Sequence, residues 1–295
     1  MEALAHANDF YVPSWKELTA EFAGARMLAR SGLRYWWKTR YTGRKFDRRD
    51  GDEEVIVLGQ GFGATNLPYY EVAQRLSAAT GLPVVFLQVA ENRWNANVGT
   101  LKSAIRLITA ELQKLADKGV KRIWWVGHSM SGIQGCIMKR TLGLPVKIMH
   151  VFTIASPVRD TTWRLLQLTA ELCLVAESPL RDIPHGLYQI YRELRDHTPT
   201  RLLPPELLAM REELEDEGDE FTALSYTRIH DFVAPRERCY IPNGIEVVLD
   251  APDATRKPRL CSPRALLTHS GIPLNPMAIR RVAHGINDRR RRQVA

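Results

Sequence analysis

The chain has 295 residues, 45% of them hydrophobic and 25% charged, with a formal net charge of +8. That is ordinary for a globular protein and long enough for one large α/β domain or two small ones. No run of about 18 apolar residues exists, which excludes a bilayer-spanning helix of the usual kind. The charge is uneven: from Arg26 to Arg49 nine basic residues stand against one acid, Asp47, and Arg289–Arg292 adds four more, so the remainder is mildly acidic. A basic arm and tail on an acidic body point to a surface partner. Met1–His6 lacks a basic stretch followed by an apolar one, so no secretory signal is expected. The four cysteines, Cys136, Cys173, Cys239 and Cys261, show no metal spacing. A Cys239–Cys261 bridge stays open, but a reducing, cytoplasmic setting is the simpler expectation.

The first predicted element is a helical arm. Trp15, Leu18, Phe22, Ala25, Ala29, Leu33 and Trp36 fall on one narrow arc at 100° per residue, with Arg26, Arg30, Arg34 and Lys38 beside it. Aromatic rings flanked by cations suit a helix lying on an anionic membrane surface, a contact assigned to residues 14–49. The competing reading is that the stripe docks on the body, with Gly24 and Gly32 allowing close packing. Nucleic acid is a third reading, disfavoured because no nucleic-acid-binding motif accompanies the charge.

From residue 51 onward, strands alternate with helices. Val55–Leu58, Val84–Leu87, Ile123–Val126, Val146–Ile154, Thr222–Ile229 and Ile245–Leu249 read as six strands. Helices are predicted at Tyr69–Thr80 (capped by Asn66, with Pro68 in its first turn), Leu101–Lys118 (closed by Gly119), Ile133–Thr141 and Pro276–Ile286. Continuous Val/Ile/Leu runs between helices imply a mostly parallel central sheet covered on both faces, an α/β fold. The long stretch at about 157–220, before the fifth strand, reads as a helical cap; a pair of extra packing helices is the alternative. Residues 1–50 form the arm and 51–295 the main domain.

The stretch richest in chemistry is Gly127-His128-Ser129-Met130-Ser131-Gly132, directly after the third strand. A buried strand ending in Gly-x-Ser-x-small before a helix forces the serine into a strained turn that lifts its hydroxyl off the sheet edge. Serine needs a base, and the base needs an orienting acid. Asp231 follows the fifth strand, and His269 lies in a loop before the final helix, so acid and base come in the required order. Asp160 is the rival acid, and Asp250 and Asp253 lie beside a proline-rich excursion that leaves them unplaced. His230 points away from Asp231, His284 falls inside a helix, His150 inside a strand, and the His128 ring is expected against the sheet flank. The loop Gly59-Gln60-Gly61-Phe62-Gly63 follows the first strand. It offers the backbone N–H of Phe62, with that of Met130, as the oxyanion donors. The same loop fits Gly-x-Gly-x-x-Ala for a dinucleotide, but the helix starts too late and the second strand lacks the expected carboxylate.

This ordered set (the loop 59–63, the elbow at Ser129, Asp231-x-Val233-x-Pro235, and His269-Ser270-Gly271 with Asn275-Pro276) resembles the α/β-hydrolase superfamily, in particular bacterial lipases and esterases related to the triacylglycerol lipases. The resemblance covers roughly residues 55–286. Gln60 stands where the lipase loop has histidine, and Ser131 where the elbow ends in glycine. The resemblance implies a serine hydrolase cleaving carboxylic esters through Ser129, His269 and Asp231, and the Leu/Trp-rich cap (Trp163, Leu165, Leu166, Leu168, Leu172) with the possible membrane arm favours an apolar acyl ester as substrate. It implies no metal or organic cofactor. An acyltransferase using the same residues and a catalytically inactive, membrane-associated binding protein remain as alternatives.

Overall fold

The computed structural model describes residues 14–39, 46–90, 95, 97, 101–141, 143–157, 221–225, 231, 234, 236–239, 241, 244–249 and 268–294. Of the cap expected at about 157–220, residues 158–220 therefore lie outside the described residues, as do His230, Asp160, Asp250, Asp253, Cys173 and Cys261. Six strands, β1 (Glu54–Gly59), β2 (Val84–Val85), β3 (Arg122–His128), β4 (Lys147–Ile154), β5 (Phe221–Ser225) and β6 (Ile245–Val248), form one sheet in the order β2-β1-β3-β4-β5-β6. Every pairing is parallel.

Period-two alternation distributes the core over the two faces. On one face Ile56, Leu58, Trp124, Val126 and Phe152 pack with Val72 and Leu76 of α2 (Tyr70–Thr80) and Val282 and Ile286 of a C-terminal helix. On the other face Val55, Val57, Ile123, Trp125 and Val151 meet Ile108 and Leu112 of α3 (Leu101–Asp117) and Cys136 of α4 (Met130–Arg140). β2 leaves β1 in one direction while β3 pairs on its other side. The sheet thus has a topological switch between β1 and β3, where the crevice beyond the strand ends accepts ligands.

Several boundaries differ from the sequence reading. The second strand is only two residues long. The helix after Ser129 starts at Met130, because the chain turns directly out of the elbow. Asn66 makes no side-chain cap; a 3-10 turn at Leu67–Tyr69 precedes α2. Gly119 does end α3, at φ 88°. A short α5 (Arg236–Cys239) follows β5, and the buried Cys239 thiol donates to the carbonyl of Ala234. The final helix, α6 (Pro276–Val294), runs past Ile286 to carry the arginine cluster as its last turns. Arg290 is not a solvated tail residue: it pairs with Glu54 at 3.1 Å and donates to the carbonyl of Thr80.

The arm is one helix, α1 (Trp15–Thr39), docked on the 3-10 turn and α2. It docks through a face other than the aromatic arc. Gly24, Leu28 and Gly32 are buried, and a Cβ on Gly32 would sit 2.0 Å from the carbonyl oxygen of Leu67. Ser31 donates to Glu71, Tyr35 donates to Gln74, and the Tyr35 ring stacks on Phe46. Trp15, Phe22 and Leu33 stay 80%, 70% and 52% exposed. Small residues, not the apolar stripe, decide how the helix seats.

Candidate active site

The elbow is built by close approach. A Cβ on Gly127 would lie 2.5 Å from the backbone of Ser131 and Gly132, so β3 can pass directly into α4 only with glycine there. Ser129 takes φ 53° and ψ −122°, a conformation strained for any residue with a side chain. The strain is held by neighbours: the Ser129 N–H donates to the carbonyl of Ile154 at the end of β4 (2.9 Å), and the Gly132 N–H to the carbonyl of Ser129 (3.0 Å). Ser131 fits where glycine is usual because the residue facing it is Gly59, whose added Cβ would lie 1.5 Å from the Ser131 hydroxyl.

Three side chains far apart in sequence meet at this turn. His269 Nε2 lies 3.0 Å from Ser129 Oγ, and His269 Nδ1 lies 3.1 Å from Asp231 Oδ2. The other carboxylate oxygen of Asp231 accepts the N–H of Ala234 at 2.8 Å. A carboxylate only accepts, so Nδ1 carries the ring hydrogen and Nε2 is free to receive the serine proton. All three residues are buried. Burial alone pulls the His269 imidazole down, but the Asp231 carboxylate, by charge and hydrogen bond, together with Glu21, holds it above its ordinary value.

His128 does not face the sheet flank as expected from its place beside the serine. Its Nε2 donates to the carbonyl of His269 (3.0 Å), and its Nδ1 accepts from the Tyr69 hydroxyl (2.7 Å). The Tyr69 oxygen in turn accepts the N–H of Gly61 at 3.0 Å. One hydrogen-bond chain therefore runs from the glycine loop to the histidine loop. Burial, reinforced by the neighbouring His269, pushes the His128 imidazole well below its usual range and keeps it neutral. Among the described residues the other two histidines lie elsewhere: His150 meets Thr222 inside the sheet, and His284 is exposed beside Asp288.

The glycine loop borders the serine. A Cβ on Gly61 would stand 3.3 Å from Ser129 Cβ and 2.9 Å from His128 Nδ1. With the Gly61 N–H given to Tyr69, the next N–H along the loop is that of Phe62. Met130 opens α4, so its N–H belongs to a first turn that has no intrahelical acceptors. The loop is braced from behind by residues that no motif announced. Gln60 donates to the carbonyl of Asn95, while Asn97 donates to that of Gln60, accepts the Gly63 N–H and is held by Gln134. Gln60, at the position where the resemblance has histidine, thus ties the loop to Asn95 and Asn97. One more unannounced residue reaches this site: Glu21 of α1 accepts the N–H of Ser270 at 2.7 Å.

A parallel sheet of this order, with the elbow after β3 and later segments bringing acid and histidine to it, has the α/β-hydrolase fold. Solved structures of similar architecture include a monoacylglycerol lipase of Paleococcus ferrophilus, at 14% identity over 78% of this chain and 94% of that one, with a TM-score of 0.43. An esterase/lipase from an uncultured bacterium is 11% identical over 85% and 80% of the two chains, TM-score 0.48. An esterase of Pyrococcus furiosus is 13% identical over 81% and 85%, TM-score 0.47. No protein-family model matches the chain, and no curated protein matches it by sequence.

Proposed function

We propose that the protein is a serine hydrolase that cleaves carboxylic esters through an acyl-enzyme. The reading is carried by one observation: a single imidazole spans the gap between a strained serine and a buried carboxylate, at 3.0 Å and 3.1 Å. In the first half-reaction Ser129 Oγ attacks the ester carbonyl as its proton passes to His269 Nε2. The N–H groups of Phe62 and Met130 receive the oxyanion, the C–O bond breaks, and Nε2–H protonates the departing alkoxide. Water then gives its proton to His269 and attacks the acyl group, and Ser129 leaves with that proton. Asp231 holds the ring tautomer and stabilises the imidazolium. A binding protein without chemistry has no use for a strained φ at Ser129, which weighs against the inactive alternative. An acyltransferase differs only in the final acceptor, and product analysis with and without added alcohol separates the two.

A fluorophosphonate probe tests this reading. Labelling is expected at Ser129 and lost in Ser129→Ala, with kcat on p-nitrophenyl esters falling on the order of 10⁶-fold. Intact, folded protein that stays unlabelled and inert on the whole ester series contradicts it.

The outer face of α1 supports a second part of the reading, peripheral contact with an anionic membrane surface from the cytoplasm. Trp15, Phe22 and Leu33 are exposed on one arc, with exposed Arg26, Arg30 and Arg34 along its edge. Both acids of α1, Glu17 and Glu21, lie on the body-facing side at this helical spacing. No helix among the described residues is long and apolar enough to cross a membrane. Rings at headgroup depth and cations toward anionic lipid match this face. The full chain is expected to sediment with phosphatidylserine-containing vesicles but not with pure phosphatidylcholine, and Phe22→Glu/Leu33→Glu to abolish it. Equal sedimentation with both vesicle types overturns this part.

A further inference from the structure

The peptide group joining His269 to Ser270 is clamped from two sides. Its carbonyl oxygen accepts from His128 Nε2 at 3.0 Å, and its N–H donates to Glu21 at 2.7 Å. One clamp comes from the end of β3; the other comes from α1, 249 residues away in the chain. Fixing this peptide plane fixes the backbone rotation that follows the His269 Cα, and with it the direction in which the ring leaves the loop. Within the same loop, the Thr268 hydroxyl accepts the N–H of Gly271 and closes the turn around His269.

Glu21 is more than a neutral acceptor. It is a carboxylate hydrogen-bonded to the residue after His269, and its charge, like that of Asp231, favours the protonated imidazole. Its own pKa is raised: burial, with a smaller push from the Asp231 charge, outweighs the lowering by the charge on His269 and by the bond to Ser270. It stands on the docked face of α1, one helical turn before Gly24, and Gly24, Leu28 and Gly32 continue that face toward the 3-10 turn. The helix cannot shift without carrying the carboxylate with it.

We infer that Glu21 is a positioning residue for His269: α1 supplies a second carboxylate that orients the histidine loop and stabilises the imidazolium formed when Ser129 is deprotonated. This rests on the hydrolase reading above. The groups facing His269 among the described residues are Asp231 after β5, His128 and Ser129 at the end of β3, and Glu21. His128 is neutral, so Asp231 and Glu21 provide the negative charge on the ring.

The test compares wild type, Glu21→Gln and Glu21→Ala. Glutamine keeps an oxygen for the Ser270 N–H but removes the charge. With less negative charge nearby, the imidazolium is less favoured and loses its proton at lower pH. The acid limb of kcat/KM on a p-nitrophenyl ester is therefore expected to move to lower pH in Glu21→Gln. Its plateau kcat is expected to fall about tenfold, the low end for a charge-assisted hydrogen bond, with KM unchanged. Alanine removes the acceptor too and is expected to lower kcat further. Titration of the ¹⁵N-labelled His269 ring by NMR reads the same shift without turnover, so it separates this inference from the hydrolase reading. If wild type is inert yet the ring titrates lower in Glu21→Gln, the positioning role stands and the reaction assignment falls. If Glu21→Gln titrates and turns over as wild type does, Glu21 is only a structural contact and the inference is overturned.

Discussion

The Tyr69 hydroxyl joins the two loops on which the chemistry depends, accepting from Gly61 and donating to His128. Tyr69→Phe keeps the ring volume and removes both bonds. It leaves a buried N–H without its acceptor, an effect of about 1–3 kcal/mol on stability. The same change frees the loop that presents the Phe62 N–H, so kcat is expected to drop while KM holds; thermal melting and ester kinetics on the variant check both halves. The pH profile belongs at this scale too. In the proposed reaction His269 must be neutral to take the serine proton, and its pKa is raised in the folded protein, so the protonated form, inactive in that reaction, persists to higher pH than for a free histidine. The acid limb of kcat/KM for the wild type is expected above about 6.5, the ordinary histidine value, and a limb at or below it speaks against the paired-carboxylate environment. That Ser129, Asp231 and His269 come together was legible in the sequence, because strand, turn residue and chain order narrow each choice. Tyr69, His128 and Glu21 were not, because their roles are hydrogen bonds across 59, 141 and 249 residues of chain, and no local pattern encodes those partners.

At the scale of elements, apolar runs and periodicity located the six strands and most helices among the described residues, and erred where close packing outweighs hydropathy. The wheel of α1 found the aromatic arc, yet the helix seats through the face of Gly24, Leu28 and Gly32, and the missing side chain of Gly32 leaves no hydropathy signal but permits contact with the Leu67 carbonyl. The elbow shows the same rule across β1 and α4. A Cβ on Gly59 collides with the side chain of Ser131, while the Ser131 Cα lies 3.8 Å away, an ordinary contact distance. Gly59→Ala alone is therefore expected to destabilise by about 1–3 kcal/mol through overpacking. Ser131→Gly alone costs about 1 kcal/mol as a glycine within a helix. In the double variant the alanine methyl enters the space the serine vacates, so denaturant melts are expected to show a favourable coupling between the two sites. Additive losses in that cycle would show that the two residues do not compete for the same space.

Across the whole molecule the sheet has a chemical end and a structural end. Ser129, Asp231, the glycine loop and His269 gather beyond the C-terminal ends of the strands, at the switch between β1 and β3. The opposite end is tied by Glu54, the first residue of β1. It accepts the Trp124 indole N–H at 2.8 Å and pairs with Arg290 of α6 and Arg122 of β3. The arginine cluster read from sequence as a free basic tail is in part this tie. Wheel and composition could not show it, because the partner acid lies 236 residues earlier in the chain. Glu54→Ala leaves the indole N–H and the Arg290 guanidinium without this acceptor, a loss of about 1–3 kcal/mol. For a chain of this size each kcal/mol lowers Tm by about 2–4 °C. Fluorophosphonate labelling of Ser129 per folded molecule is expected to stay at the wild-type rate, because nothing at the elbow contacts Glu54. A variant that melts lower yet labels equally fast separates the two ends, whereas a parallel fall in labelling would mean that the α6 tie also sets the geometry of the serine.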